Sequence, residues 1–179
     1  MIKIKRGSEI ILSDEKVKYV KVYMGKPSYK AEDIPLSEGE DFIDSEISAN
    51  GKTYRATTVL VGVPHTIIFE DNEKYVTTED GPALEKHKLF KEGSNINFVK
   101  IIDDTHIVVN TWERGAGATL ACGTGCSASV AVAKKLGLVS REKEIFVKAP
   151  GGELVIEVTG DDVYMKGPAE VVFEGTMII

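Results

Sequence analysis

The sequence predicts an α+β fold, a barrel-like and mainly antiparallel sheet wrapped around one central buried helix. Two observations carry that prediction. Most of the chain consists of short extended runs with period-2 alternation, separated by residues that turn easily. The one long helical run carries small or apolar side chains on every face of its first two and a half turns, Cys126-Ser127-Ala128-Ser129-Val130-Ala131-Val132-Ala133. A surface helix shows a polar stripe, so a helix without one is enclosed on all sides, and strands are what this chain has to enclose it.

The extended runs are expected at Ile10–Leu12, Val17–Tyr23, Lys52–Val61, Thr66–Phe69, Ile96–Ile102, His106–Trp112, Glu144–Lys148, Glu153–Val158, Val163–Lys166 and Glu170–Phe173. Asp103-Asp104-Thr105, Pro150-Gly151-Gly152 and Gly160-Asp161-Asp162 read as hairpin connections, because Gly and Asp tolerate the backbone angles of tight turns, and the C-terminal third becomes a meander. The acidic stretch from Ser37 to Asp44 reads as a solvated loop or edge. A short helix is expected to begin at Gly81-Pro82, with Pro in its first turn, and to run to about Phe90. The central helix is expected from about Thr124 to Leu136, with Lys134 and Lys135 in its last turn and Gly137 just past its end.

At 179 residues, 42% hydrophobic and 28% charged, the chain is the size of a single domain (1–179) with a core of its own. A net charge of -6 argues against nucleic acid or anionic membrane as a partner. No apolar run is long enough for a membrane span and the N-terminus lacks a secretory h-region, so a cytoplasmic location is expected. Cys122 and Cys126 lie four apart, and the three histidines provide no second pair at zinc-ligand spacing, so neither a disulfide nor a metal site is expected.

The run most informative about chemistry is Glu113-Arg114-Gly115-Ala116-Gly117-Ala118-Thr119-Leu120-Ala121-Cys122-Gly123-Thr124-Gly125. Its four glycines let backbone approach a ligand, and it ends where the enclosed helix begins. Backbone N–H groups at Gly123, Thr124 and Gly125 are expected to be unpaired there and to cradle a carboxylate. The same helix end is expected to favour a thiolate at Cys122, giving a base beside a carboxylate site, as proton removal next to a carboxylate requires. Cys126 reads as a core residue, and His87 and His106 as surface residues.

The pattern Glu-Arg-Gly-x-Gly-x-Thr-x-Ala-Cys-Gly-Thr-Gly is similar to the second active-site signature of the diaminopimelate epimerase family. Met24-Gly25-Lys26-Pro27 with Ile34-Pro35, Gly62-Val63-Pro64-His65, Gly81-Pro82, Ser94-Asn95-Ile96-Asn97-Phe98, Pro150-Gly151-Gly152-Glu153-Leu154 and Gly167-Pro168-Ala169 resemble other landmarks of that family, in its order. The resemblance implies a two-domain, pseudo-symmetric isomerase without pyridoxal phosphate or any other cofactor. In it two cysteines face each other across the α-carbon of a small amino-acid substrate. Carried over by position, Cys122 resembles the second of these cysteines, Glu113, Arg114, Gly123, Thr124, Asn95 and Val63 resemble substrate-contacting positions, and His65 a supporting polar one.

Two departures follow from that resemblance. Val63 stands where the family usually has asparagine, and it cannot give the hydrogen bond of an amide to the distal end of the substrate. The family's N-terminal half, with its Cys-Gly-Asn-Gly signature, is absent from this sequence. The chain therefore resembles the C-terminal half, and turnover is expected to need either that other half or self-association as a homodimer. The alternatives are an epimerase or racemase of the same fold acting on another amino acid, and a truncated domain without activity.

Overall fold

The computed structural model describes residues 8–13, 16–37, 39–71, 73–170 and 175–176. Strands β1 (Ser8–Ser13) and β2 (Lys16–Gly25) open the chain, and β3 (Ser45–Ala49), β4 (Lys52–Val61) and β5 (Val63–Phe69) follow. Helix α1 (Glu73–Glu85) leads into β6 (Asn95–Ile101), β7 (His106–Glu113) and the short β8 (Gly117–Ala118). Helix α2 (Gly123–Leu136) precedes the meander β9 (Ile145–Ala149), β10 (Gly152–Thr159) and β11 (Asp162–Pro168). The strands form one sheet in the order β1-β2-β11-β10-β9-β7-β6-β5-β4-β3, with β8 paired to β7. Neighbours are antiparallel except β5 with β6 and β7 with β9, so the sheet is mixed.

Helix α2 packs against β4, β5, β6, β7, β10 and β11, and its residues Gly125 to Lys134 are buried, as its uniformly small and apolar faces predict. Val130 and Val132 are fully enclosed in the core that Val59, Ile67, Val99, Val109, Val147 and Ile156 build around the helix. Each such valine contributes roughly 1.5–3 kcal/mol of transfer free energy. Beyond β2, Ser28 exchanges backbone hydrogen bonds with Leu60 of β4 (3.0 and 2.7 Å), which ties the segment after one end of the sheet to a strand near its other end. Among the described residues, no helix is long and apolar enough to cross a membrane.

A second core lies on the opposite face of the sheet. In β6, Asn95, Asn97 and Val99 alternate with Ile96 and Phe98, and the latter two join Leu84, Leu89 and Ile68 in a cluster beneath α1. The start of α1 corrects the sequence expectation: it runs from Glu73 to Glu85 and Pro82 lies inside it, not in its first turn. Tertiary packing overrides the local signal. Thr77, Asp80, Gly81 and Leu84 are buried at helical spacing, and a Cβ on Gly81 would come within 2.8 Å of Trp112, so Gly81 is required for close approach to β7. Asp80, fully buried, accepts from Asn50 Nδ2 (2.8 Å), Lys52 Nζ (3.0 Å) and the Tyr54 hydroxyl, and so fastens the β3–β4 hairpin to α1.

Strand β3 has no counterpart among the expected runs. It is joined to β4 by Asn50-Gly51, both at positive φ (51° and 77°), a tight hairpin turn. The three hairpin connections read from the sequence join β6 to β7, β9 to β10 and β10 to β11. Of the expected run Glu170–Phe173, Glu170 is not in a strand and the other residues lie outside the described ones. His106 is exposed, whereas His87 is half-buried against Phe90, because its ring closes the end of the α1 core.

Candidate active site

The glycine-rich run is folded into a hairpin that returns the chain to its own start. Gly115 and Gly117 adopt positive φ (78° and 80°), and β8 pairs with the end of β7, Glu113 opposite Gly117. Thr119 donates its N–H to Thr111 O (3.3 Å) and its hydroxyl to Glu113 Oε1 (2.6 Å). The Gly151 N–H, in the β9–β10 turn, donates to Leu120 O (2.6 Å) and fixes the last loop residues before Cys122. These contacts bring Glu113 to face the thiol of Cys122, nine residues further along the chain.

Cys122 is the N-cap of α2, with extended backbone (φ -126°, ψ 107°). Its sulfur accepts from the Gly125 N–H and lies 3.4 Å from Thr124 Oγ1, and its carbonyl accepts from the Cys126 N–H (2.8 Å). Of the three N–H groups expected to be open, Gly125's is therefore taken by the cysteine itself. Those of Gly123 and Thr124 have no acceptor among the described residues, as the first turn of a helix dictates. The expected thiolate is corrected. Burial raises the Cys122 pKa, the Glu113 carboxylate adds to the rise, and the donors at Thr124 and Gly125 do not outweigh them. Cys122 is a thiol at neutral pH. Cys126, almost completely buried, is pushed up to about 12 by burial.

The other sequence-selected residues surround this helix end in different ways. Gly62, at φ 70°, brings the β4–β5 turn against Thr124, whose methyl would lie 3.7 Å from a Cβ there, and the next residue, Val63, is 38% exposed. Asn95 spends both ends of its amide on backbone, Nδ2 donating to Pro64 O (3.1 Å) and Oδ1 accepting from Arg114 N (2.9 Å), which ties β5, β6 and the end of β7 together. Arg114 donates Nη1 to Glu92 O (2.9 Å) and packs along Gly93. His65 is fully buried on β5, facing the α2 core, and burial lowers its pKa to about 4.

Three residues that the sequence did not single out complete the setting. Met165 of β11 lies over Gly123, where a Cβ would come within 2.9 Å of its sulfur. Asn97 and Thr111 sit under Gly125, where a Cβ would meet Asn97 Oδ1 at 2.4 Å and Thr111 Oγ1 at 3.2 Å. The alternation Asn95-Ile96-Asn97 was the available signal, since a strand puts both amides on one face. Among the described residues, no group of three or more His, Cys, Asp or Glu could hold a metal ion.

The fold, a mixed sheet with α2 packed against it, is similar to that of solved structures of low sequence identity. Hydroxyproline epimerase from Agrobacterium vitis superposes with a TM-score of 0.63 at 13% identity, covering 93% of this chain and 58% of that one. A phenazine biosynthesis protein of the PhzF family from Enterococcus faecalis gives 0.56 at 16% identity, covering 99% and 67%. These likenesses are of fold. The particular family comes from sequence: residues 57–172 match the family model described as diaminopimelate epimerase, and the chain belongs to that family. Diaminopimelate epimerase of Caldanaerobacter subterraneus subsp. tengcongensis is 46% identical over 96% of this chain and 63% of its own length. That of Clostridium perfringens is 46% identical over 93% and 60%. The chain thus spans about three fifths of the length of the curated relatives it matches.

Proposed function

We propose that this chain is the Cys122-bearing half of a diaminopimelate epimerase, which inverts one α-carbon of LL-diaminopimelate to give the meso form in lysine and peptidoglycan precursor synthesis. The observation that carries this reading is the placement of Cys122 at the cap of α2, with Glu113 facing its sulfur and the Gly123 and Thr124 N–H groups open beside it. Those N–H groups receive the substrate α-carboxylate and hold the negative charge that develops when the α-proton leaves. In one direction a base on the opposite face removes that proton and the Cys122 thiol delivers its own to the α-carbon, leaving a thiolate stabilised by the Gly125 N–H and the Thr124 hydroxyl. In the other direction Glu113 takes the thiol proton, and the thiolate so formed removes the α-proton. Cysteine acid/base chemistry of this kind needs no pyridoxal phosphate.

The finer architecture belongs to the same reading. The sheet closes barrel-like around α2, which the Ser28–Leu60 bridge supports, and residues 1–179 form one domain equivalent to the C-terminal half of the family's enzymes. The second base comes from the other half or from a second copy of this chain. Cys126 does not serve, being enclosed within the helix. The location is the cytoplasm, and the net charge of -6 speaks against nucleic acid and anionic membranes as partners. Val63, exposed in the β4–β5 turn next to Gly62 and without an amide to offer, favours one alternative, an epimerase of this fold for another amino acid.

The test is incubation of the chain with LL-diaminopimelate in deuterated water, with and without a separately prepared polypeptide carrying the Cys-Gly-Asn-Gly signature. Deuterium at the α-carbon and meso product are expected only with the partner. Turnover by the chain alone, rising with the square of its concentration, would identify a homodimer as the enzyme. Turnover of another amino acid in place of diaminopimelate would establish the alternative.

A further inference from the structure

Beside the last turns of α2 lies a cavity of about 350 Å³ whose lining carries three cations, Lys134, Lys135 and Arg141, against one carboxylate, Asp161. That balance is the reverse of the chain's own, a net charge of -6. Lys134 is only 7% exposed, and burying an ammonium is costly unless an anion accompanies it. Its Nζ donates to Arg141 O (3.1 Å) and Lys143 O (2.7 Å), which leaves the third of its N–H donors without an acceptor among the described residues. Glu157, the carboxylate whose charge it feels, is held by Lys21 instead. Among the described residues, neither Lys135 nor Arg141 forms an ion pair. Lys135 Nζ lies over the ring of Tyr29, 4.4 Å from its centroid, and Tyr29 lines the same cavity. Burial pushes the Tyr29 pKa up to about 12, so its hydroxyl keeps its proton and can donate.

We propose that this cavity binds a small phosphate monoester, whose phosphate oxygens accept from the spare Lys134 N–H, Lys135 and Arg141 while its apolar body lies against Tyr29 and Val158. A phosphate monoester carries nearly two negative charges at pH 7 and three strong acceptor oxygens, one for each cation, whereas a carboxylate brings one charge and two oxygens. The carbonyl end of a helix opposes an anion with only about half a unit charge, which the three cations exceed even after Asp161 is set against them. The last carbonyls are in any case engaged by the Gly137 and Leu138 N–H groups. The site lies at the opposite end of α2 from Cys122, and neither it nor its test depends on the epimerase reading.

The experiment is titration of the chain with phenyl phosphate at fixed ionic strength, followed by calorimetry and by the thermal midpoint, which a ligand of the folded state raises. Saturable binding of one equivalent per chain is expected. Arg141→Gln and Lys135→Met, changes to exposed side chains, should each weaken it roughly 10-fold, the low end of the range for a hydrogen bond to a charged group. Asp161→Asn, which removes the opposing charge, should tighten it. Lys148→Gln, at an exposed lysine that does not line this cavity, should leave it unchanged. Lys134→Met should weaken binding most, and because that variant also loses the loop contacts, the exposed variants decide the matter even if it fails to fold. No saturable binding, an equal loss in Lys148→Gln, or unchanged affinity in both Arg141→Gln and Lys135→Met would each overturn the proposal. Benzoate binding as tightly as phenyl phosphate would overturn the assignment to a phosphate ester.

Discussion

The two ends of α2 are built to opposite purposes. At the N-terminus the helix leaves the Gly123 and Thr124 N–H groups open, places a thiol at the cap and brings a carboxylate to face it. At the C-terminus the last carbonyls are closed. Gly137 at φ 73° donates to Lys134 O and the Leu138 N–H to Ala133 O, a paired closure of the final turn. The Lys134 ammonium, buried with the rest of the helix, donates to Arg141 O (3.1 Å) and Lys143 O (2.7 Å) and pins the loop that leads to β9. One end leaves its polar groups unspent, whereas the other consumes them in stabilising the fold. The comparison also shows what a helix end cannot do alone, because at Cys122 burial and the facing carboxylate outweigh the favourable donors and the sulfur remains a thiol.

If that division is real, substitutions at the first end should affect turnover and those at the second should affect stability. The largest effect is expected for Cys122→Ala, which should lower α-proton exchange by the reconstituted enzyme roughly 10²- to 10⁴-fold, the range for loss of a positioned acid or base. Its urea midpoint should move little, because the cap loses only a weak sulfur acceptor at 3.4 Å. A large loss of stability in Cys122→Ala would make the cysteine a structural cap and break the comparison.

His65 gives the next effect. Its folded pKa, about 4, lies below the ordinary 6.5, so the unfolded chain takes up a proton that the folded chain refuses. The folded state is therefore at full stability above about pH 6.5 and loses about 3 kcal/mol as pH falls from there through 4. Urea unfolding of the wild type and of His65→Gln across that range is the measurement. The variant should lack this part of the acid limb, and parallel curves would show that His65 is not held neutral.

At the sealed end, Lys134→Met keeps the length of the stem and removes the ammonium. The Arg141 and Lys143 carbonyls then lose a donor, at a cost of about 1–3 kcal/mol. The rate at which iodoacetamide modifies Cys122 should not change. In both proteins Cys126 should react more slowly than Cys122, because it is more deeply buried and its pKa is pushed up to about 12.

Much of this division was legible in the sequence, and what was missed has a physical reason in each case. The unbroken run of small residues from Cys126 to Ala133 made α2 an enclosed helix, and Gly137 after Lys134-Lys135 marked its end. The hairpins at Asp103, Pro150 and Gly160 declared themselves through turn chemistry. Helix α1 did not, because Gly81-Pro82 reads locally as a helix boundary, and only contact with Trp112, 31 residues away, explains a glycine there. The Asn50-Gly51 hairpin carries the Asn-Gly turn signal in the sequence itself. At the site, Cys122 and its open N–H groups follow from sequence order. The state of its sulfur depends on how deeply the fold buries it and on a carboxylate nine residues earlier in the chain, neither of which spacing reveals. Asn97 was hidden for a similar reason: a buried amide in a strand shows its importance only once its partners on β5 and β7 are known.

The smallest expected effect is the cleanest check on the sealed end. Gly137 holds φ 73°, ψ 24°, and a Cβ there meets no atom within 4 Å, so substitution tests backbone conformation without a steric clash. Gly137→Ala should cost about 1–2 kcal/mol, the usual penalty for an L-residue in the left-handed region. Gly137→Asn should cost less, because asparagine tolerates that conformation best among residues with a Cβ. Neither should alter the alkylation of Cys122, which lies about 20 Å away along the helix axis. Equal destabilisation by Ala and Asn would mean that something other than φ holds this end. A changed rate at Cys122 would show that the two ends of α2 are coupled through the helix, and the separation of chemistry from stability would then be lost.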